Sequence, residues 1–91
     1  MNENKQVMIA AAQGITTILS ATTNHSFNAY VQDYGCEPLG NLAVNDTNKV
    51  TIAAAGGISM IVSAMKNHSS NANVQHFCSE ALLHLAVNDN N

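Results

Sequence analysis

The stretch VMIAAAQGITTILSATTNHSFNAYVQ at positions 7–32 returns as VTIAAAGGISMIVSAMKNHSSNANVQ at positions 50–75. Laid without a gap, residues 4–46 over 47–89, the two halves agree at 24 of 43 positions, and both close on Leu-Ala-Val-Asn-Asp, at Leu42 to Asp46 and Leu85 to Asp89. A period of 43 lies within the range of about 40–47 residues used by stacked helical units. Duplication of one helical unit therefore organises residues 1–91 as a single all-α domain, with repeat one at about 4–46 and repeat two at about 47–89.

Each copy reads as three helices. The first spans about 5–12, and 48–55 in the second copy. Gly14, or the pair Gly56-Gly57, then breaks the chain, since glycine accepts a sharp backbone turn. The second helix carries Ile15, Ile18, Leu19 and Thr22, matched by Ile58, Ile61, Val62 and Met65. That i, i+3, i+4, i+7 spacing turns one apolar stripe toward a core. The polar loop from Asn24 to Asn28, or Asn67 to Asn71, supplies Ser and Asn side chains suited to cap the next helix. His25 and His68 hold equivalent places in it, as capping or hydrogen-bonding groups of the loop.

The third helix is predicted over 29–45 and 72–88. It buries Val31, Tyr34, Leu39 and Leu42 in copy one, and Val74, Phe77, Leu82 and Leu85 in copy two. Pro38 falls inside it and removes the amide that would bond the Tyr34 carbonyl, with Gly35 and Gly40 close by. The expectation is a helix kinked there, or one that starts late near Pro38. Gly35 and Pro38 read as a hinge, as the mark of a degenerate copy, or as a bend that shapes the groove, with the degenerate copy favoured.

The succession NKVTIAAAGGISMIV, a polar loop, and VQ followed by ALLHLAVND resembles the armadillo repeat over essentially the whole chain. The features that carry it are the Ala-Gly-Gly-Ile turn at Ala55 to Ile58 and the L-x-N-L-A ending at Leu39 to Ala43. HEAT repeats are the nearest rival, and the short first helix followed by glycine favours armadillo. The resemblance implies an α-solenoid of two three-helix repeats whose third helices line a concave groove for a peptide or partner segment. Asn41 matches the family's groove asparagine, which grips a bound peptide backbone, and His84 takes that place in copy two. Glu37 and Glu80 stand where peptide-binding members often carry tryptophan. This chain has no tryptophan, so recognition of the nuclear-import kind does not follow from the resemblance.

Read from the residues alone, the third helix shows a polar stripe at every fourth position: Asp33, Glu37, Asn41 and Asn45, then His76, Glu80, His84 and Asn88. Such a stripe is either the solvated face of an amphipathic helix or the lining of a groove. An Asn amide both donates to and accepts from a peptide backbone, and carboxylates favour a cationic side chain.

Composition narrows the classes. Net charge is −3, and the three basic residues are all lysine. Phosphate neutralisation and base stacking need more cations and aromatics than this, which excludes nucleic acid as the expected partner. No apolar run reaches the ~20 residues of a membrane span, and the opening MNENKQ lacks the basic flank and apolar stretch of a secretory signal. Cys36 and Cys78 form no CxxC motif and occupy non-equivalent places in the repeat, Cys36 matching Ser79 and Cys78 matching Gly35. They read as separate small core residues of a reduced, intracellular and by default cytoplasmic protein. His76, Glu80 and His84 have spacing that zinc accepts, without the flanking signature of a metal site. No nucleophile has a base at a recognisable spacing, and no phosphate loop is present. The expectation is a non-enzyme without cofactor or metal.

About three stacked units are normally needed to bury a solenoid core, and this chain has two. It reads either as an excised or designed fragment of a longer array, or as a two-repeat protein that completes its core with another copy. Its outer faces read as copies of the inner ones. Both explanations predict a homo-oligomer, with a closed two-fold dimer, with or without helix exchange, favoured over an open filament. Ile15, Ile18, Leu82 and Leu85 are the apolar positions assigned to self-association. Two functions follow: an interaction scaffold offering the third-helix groove, or a self-assembling unit with no ligand beyond its own copies.

Overall fold

The computed structural model describes residues 2–87, with side chains described from Ile9 onward. Among the described residues the architecture is all-α: α1 (Asn2–Asn24), α2 (Ala29–Leu42), α3 (Asp46–Ala54), α4 (Gly57–Asn67) and α5 (Ala72–Ala86), with no strand. No single one of these helices is long and apolar enough to cross a membrane.

Repeat two has the three helices expected. Between α3 and α4 the axis bends by 70°. Gly56 makes the turn in the left-handed region, at φ +89°, where a side chain is strained. Gly57 lets α3 fold back tightly. A Cβ there would overlap the Ile52 side chain and come within 2.8 Å of the Ile52 carbonyl oxygen. Ile52 is accordingly fully buried.

Repeat one departs from this. Its first and second helices are one continuous helix, α1, and Gly14 does not break it. The reason lies one residue earlier, where Gln13 replaces Gly56 at the position that must turn left-handed. A non-glycine residue there loses about 1–2 kcal/mol. The chain stays helical instead, and the Thr16 and Thr17 hydroxyls donate across the junction to the Ala12 and Gln13 carbonyls at 3.0 and 2.8 Å. Ile9, the counterpart of buried Ile52, is left 57% exposed.

The loops follow the duplicated spelling closely. The Asn28 and Asn71 side chains cap α2 and α5, accepting from the amides of Val31 and Val74 at 3.1 and 3.0 Å. Replacing Asn71 by alanine should cost about 1 kcal/mol in urea unfolding, the usual worth of such a cap. The loop before each cap is pinned by a glutamine. Gln32 is buried, and its amide donates to the Thr22 and His25 carbonyls, both at 2.9 Å. Gln75 repeats this on the Met65 and His68 carbonyls, at 2.9 and 3.0 Å.

The third helices are shorter than expected, ending at Leu42 and Ala86, and α2 runs without interruption through Pro38. The late start at Pro38 is therefore corrected. Gly35 and Pro38, read as a hinge, both lie inside one helix, and Gly35 is buried against Thr22 of α1, where a Cβ would overlap the threonine hydroxyl.

α2 and α5 form the most extensive helix pair and run parallel, as Cys36 meets Cys78 and Gly40 meets Ala81 further along both. Gly40 permits the approach, since a Cβ on it would stand 3.3 Å from the Ala81 Cα. Cys36 and Cys78 are joined by a disulfide, with Cα atoms 5.1 Å apart and both residues fully buried. The expectation of two separate core thiols is thus overturned, and with it the ground for assuming a reducing compartment.

Helices α1 and α4 bury different faces. α1 buries Ile15, Leu19 and Thr22, whereas α4 buries Met60, Ile61 and Ala64. Each helix faces the other copy, and the copies lie on opposite sides of their shared interface. Tyr34 is exposed rather than buried. Ile15 and Leu85, assigned to self-association, belong to the chain's own core, and Ile18 and Leu82 pack half-buried against it.

The interface between copies is not repeated on the outer faces. The counterparts of Cys36 and Gly40 are Ser79 and Leu83; those of Cys78, Ala81 and His84 are Gly35, Pro38 and Asn41. The reading of the outer faces as copies of the inner ones does not hold at these contacts.

Candidate partner-binding face

The parallel α2–α5 pair fixes where the polar stripes point. On α2, Cys36 and Gly40 face α5. At about 100° per residue, Asp33, Glu37 and Asn41 lie to one side of that line. On α5, Cys78 and Ala81 face α2, and Glu80 and His84 lie to the opposite hand. For parallel neighbours, opposite hands are the same face of the pair. Glu37, Asn41 and Glu80 are exposed there, Asp33 and His84 are half-buried, and His76 is exposed on the side of α5 turned away from α2.

Not all eight candidate residues are free to bind. Asn45 lies beyond the end of α2 and caps α3, its side chain accepting from the Asn48 amide at 3.1 Å. Asn88 lies outside the described residues. His84 reaches back across the interface, its Nδ1–H donating to the Gly40 carbonyl at 2.9 Å. That carbonyl is among the last of α2, where helical partners run out, so His84 closes the end of its neighbour's helix. His76 Nε2 stands 3.8 Å from a Glu80 carboxylate oxygen, and its ring meets Phe77 edge-on with centroids 4.9 Å apart. With His84 engaged elsewhere, the three do not converge, and among the described residues no group of three His, Cys, Asp or Glu is placed to hold a metal.

Left for a partner on this face are Glu37 and Asn41, with Asp33 beside them, and Glu80, whose neighbour is the His76 imidazole. Two residues the stripe pattern missed adjoin them: Tyr30 and Tyr34, 73% and 70% exposed on α2. They sit one turn apart, Tyr30 three residues before Asp33 and Tyr34 three before Glu37, so rings and carboxylates alternate along one side of the helix. The 3.6-residue spacing could have found Tyr30. Tyr34 was concealed by its alignment with Phe77, which is half-buried. On the side of α5 turned away from α2, Gln75, His76, Ser79, Glu80 and Leu83 line a shallow depression.

The loops add a second connection between copies. His68 Nε2–H donates to the Ser26 carbonyl at 2.8 Å, while His25, its counterpart, is exposed. The loop role expected of these histidines is met in copy two, and the bond it makes crosses from one repeat to the other. No protein family, curated protein or solved structure matches the chain.

Proposed function

We propose that the chain is an armadillo-like interaction module rather than an enzyme, and that the shared face of α2 and α5 takes an extended partner segment bearing Lys or Arg. The observation that carries this reading is the set Tyr30, Tyr34, Glu37, Asn41 and Glu80. These residues are exposed on one side of two parallel helices and have no cationic partner among the described lysines. Carboxylates attract the cation, tyrosine faces accept it by cation–π contact, and the Asn41 amide offers one donor and one acceptor to a backbone. His84, where the resemblance would seek a second backbone-gripping group, is occupied at Gly40, so the grip is centred on copy one.

The test is fluorescence anisotropy with a labelled ten-residue peptide alternating Lys or Arg with small residues. Wild type should bind with an affinity that falls as salt rises. The variant Glu37→Ala, Asn41→Ala, Glu80→Ala should bind about tenfold more weakly, given about 0.5–1 kcal/mol for each exposed charged contact. Its thermal melt should be unchanged. Equal binding by the variant and wild type would remove this face from consideration.

A further inference from the structure

Stacking the two copies leaves a cleft of about 410 Å³ between the end of α1 and α4, and neither repeat contains it alone. Its volume is that of a small-molecule site. One wall is α4, where Ser59, Ser63 and Asn67 recur every fourth position and so share a side of the helix. Thr23 and Ser26 stand on the wall supplied by copy one. The bond from His68 to the Ser26 carbonyl ties the two walls together.

The hydroxyls of this cleft are unengaged. Elsewhere in the helices Thr16, Thr17 and Thr51 donate theirs to the carbonyl four residues back. Among the described residues no such bond occupies Thr23, Ser59 or Ser63. Deeper in, Gln32 is 1% exposed, and both hydrogens of its amide go to the Thr22 and His25 carbonyls, which fixes the nitrogen and leaves the oxygen. That oxygen has no donor among the described residues. It is not sealed away, since every fully buried side-chain polar atom described is paired, so it opens on the cleft that Gln32 lines. Gly56, also in the lining, gives α4 no side-chain cap, so the helix starts beside the cleft with amides that lack a side-chain acceptor.

A buried acceptor needs a donor, an uncapped helix start needs an acceptor, and the hydroxyls between serve as either. An anion would meet the Gln32 oxygen, and a cation would meet the amide end of α4. None of the described lining residues carries a charge to offset either. Met60, 8% exposed, adds an apolar patch to the lining. We propose that the cleft binds an uncharged polyhydroxylated ring, a sugar of one or two units, with its C–H face against Met60. The cleft lies between α1 and α4, apart from the exposed stripes of α2 and α5, so this inference stands independently of the proposed peptide binding.

Titration of the full chain followed by NMR tests it. Methyl α-glucopyranoside, methyl α-mannopyranoside, methyl β-galactopyranoside and cellobiose are the neutral probes, each to 50 mM, with glucuronate and glucosamine as charged counterparts. At least one neutral probe should shift the Ser59 and Ser63 amides and the Gln32 side-chain amide saturably, with a millimolar Kd. It should bind at least fivefold more tightly than either charged ring. Ser63→Leu, which places an apolar side chain in the cleft from an exposed helix position, should weaken that binding at least tenfold with an unchanged thermal melt. Should the larger side chain disturb the fold, Thr23→Val on the other wall removes a hydroxyl at nearly constant size and should weaken binding at least threefold. No saturable shift at these residues from any neutral probe would overturn the proposal. So would a charged ring that binds as tightly as the neutral ones, or equal binding by wild type and the folded variants.

Discussion

Reducing the Cys36–Cys78 bond should lower the stability of the chain by about 3–4 kcal/mol. The bond closes a sequence separation of 42 residues, and a loop of that size restricts the unfolded chain by about 4 kcal/mol in the chain-entropy account. Little opposes the gain in the folded state, since the two helices already meet through Gly40 and Ala81 and the Cα separation of 5.1 Å is ordinary for a disulfide. For a domain of this size, the melting midpoint should fall by roughly 15–25 °C. Circular dichroism melts with and without reductant measure it, and Cys36→Ser, Cys78→Ser should melt near the reduced wild type. A fall of less than about 5 °C would mean that helix packing alone sets the spacing of α2 and α5. Both sulfurs are fully buried, so reduction should be slow below the unfolding temperature and requires equilibration at elevated temperature.

Two glycines that align with each other should respond oppositely to alanine. Gly57→Ala drives a Cβ into Ile52, including the Ile52 carbonyl oxygen at 2.8 Å, which the helix backbone holds in place. The change should cost about 2–3 kcal/mol, as overpacking does. Gly14→Ala meets nothing in its own chain and lies within a continuous helix, so it should stabilise the monomer by about 0.5–1 kcal/mol. Urea unfolding at low micromolar concentration reads both. A loss of stability at Gly14 would mean that repeat one folds back as repeat two does.

The duplicated spelling made the all-helical class and the loops legible, because both depend on short local signals. Asn28 and Asn71 cap the helices that follow them, as the polar loops suggested. The merged α1 depended on one residue, Gln13 for Gly56, whose weight was hidden by the neighbouring glycine that both copies share. Alignment also encouraged equal burial at equivalent sites. Ile15 is buried while Ile58 is 41% exposed, because two stacked units face their interface from opposite sides. The disulfide carried a signal that the repeat frame concealed. A separation one residue short of the 43-residue period leaves two side chains at nearly the same height on neighbouring parallel helices, turned by about 100° relative to each other. That rotation is what lets one face forward and the other back. On the binding face, the polar spacing located Glu37, Asn41 and Glu80. It could not show that Asn45 and His84 were occupied, since their partners, the Asn48 amide and the Gly40 carbonyl, are backbone groups placed by the fold.

The unlike contacts at the centre and at the ends of this pair set a rule for lengthening it. A second copy of either existing unit, placed after the first two, would bring Leu83 where close approach needs glycine and Ser79 where the bridge needs cysteine. A unit able to sit in the middle of an array must instead look both ways. It needs the forward-facing residues of copy one, Cys36 and Gly40, together with the backward-facing residues of copy two, Cys78, Ala81 and His84. In the repeat frame these fall at five different positions of the third helix, so none competes with another for a place. One hybrid helix can therefore carry both sets, and a string of such units would be stitched by a disulfide at every junction.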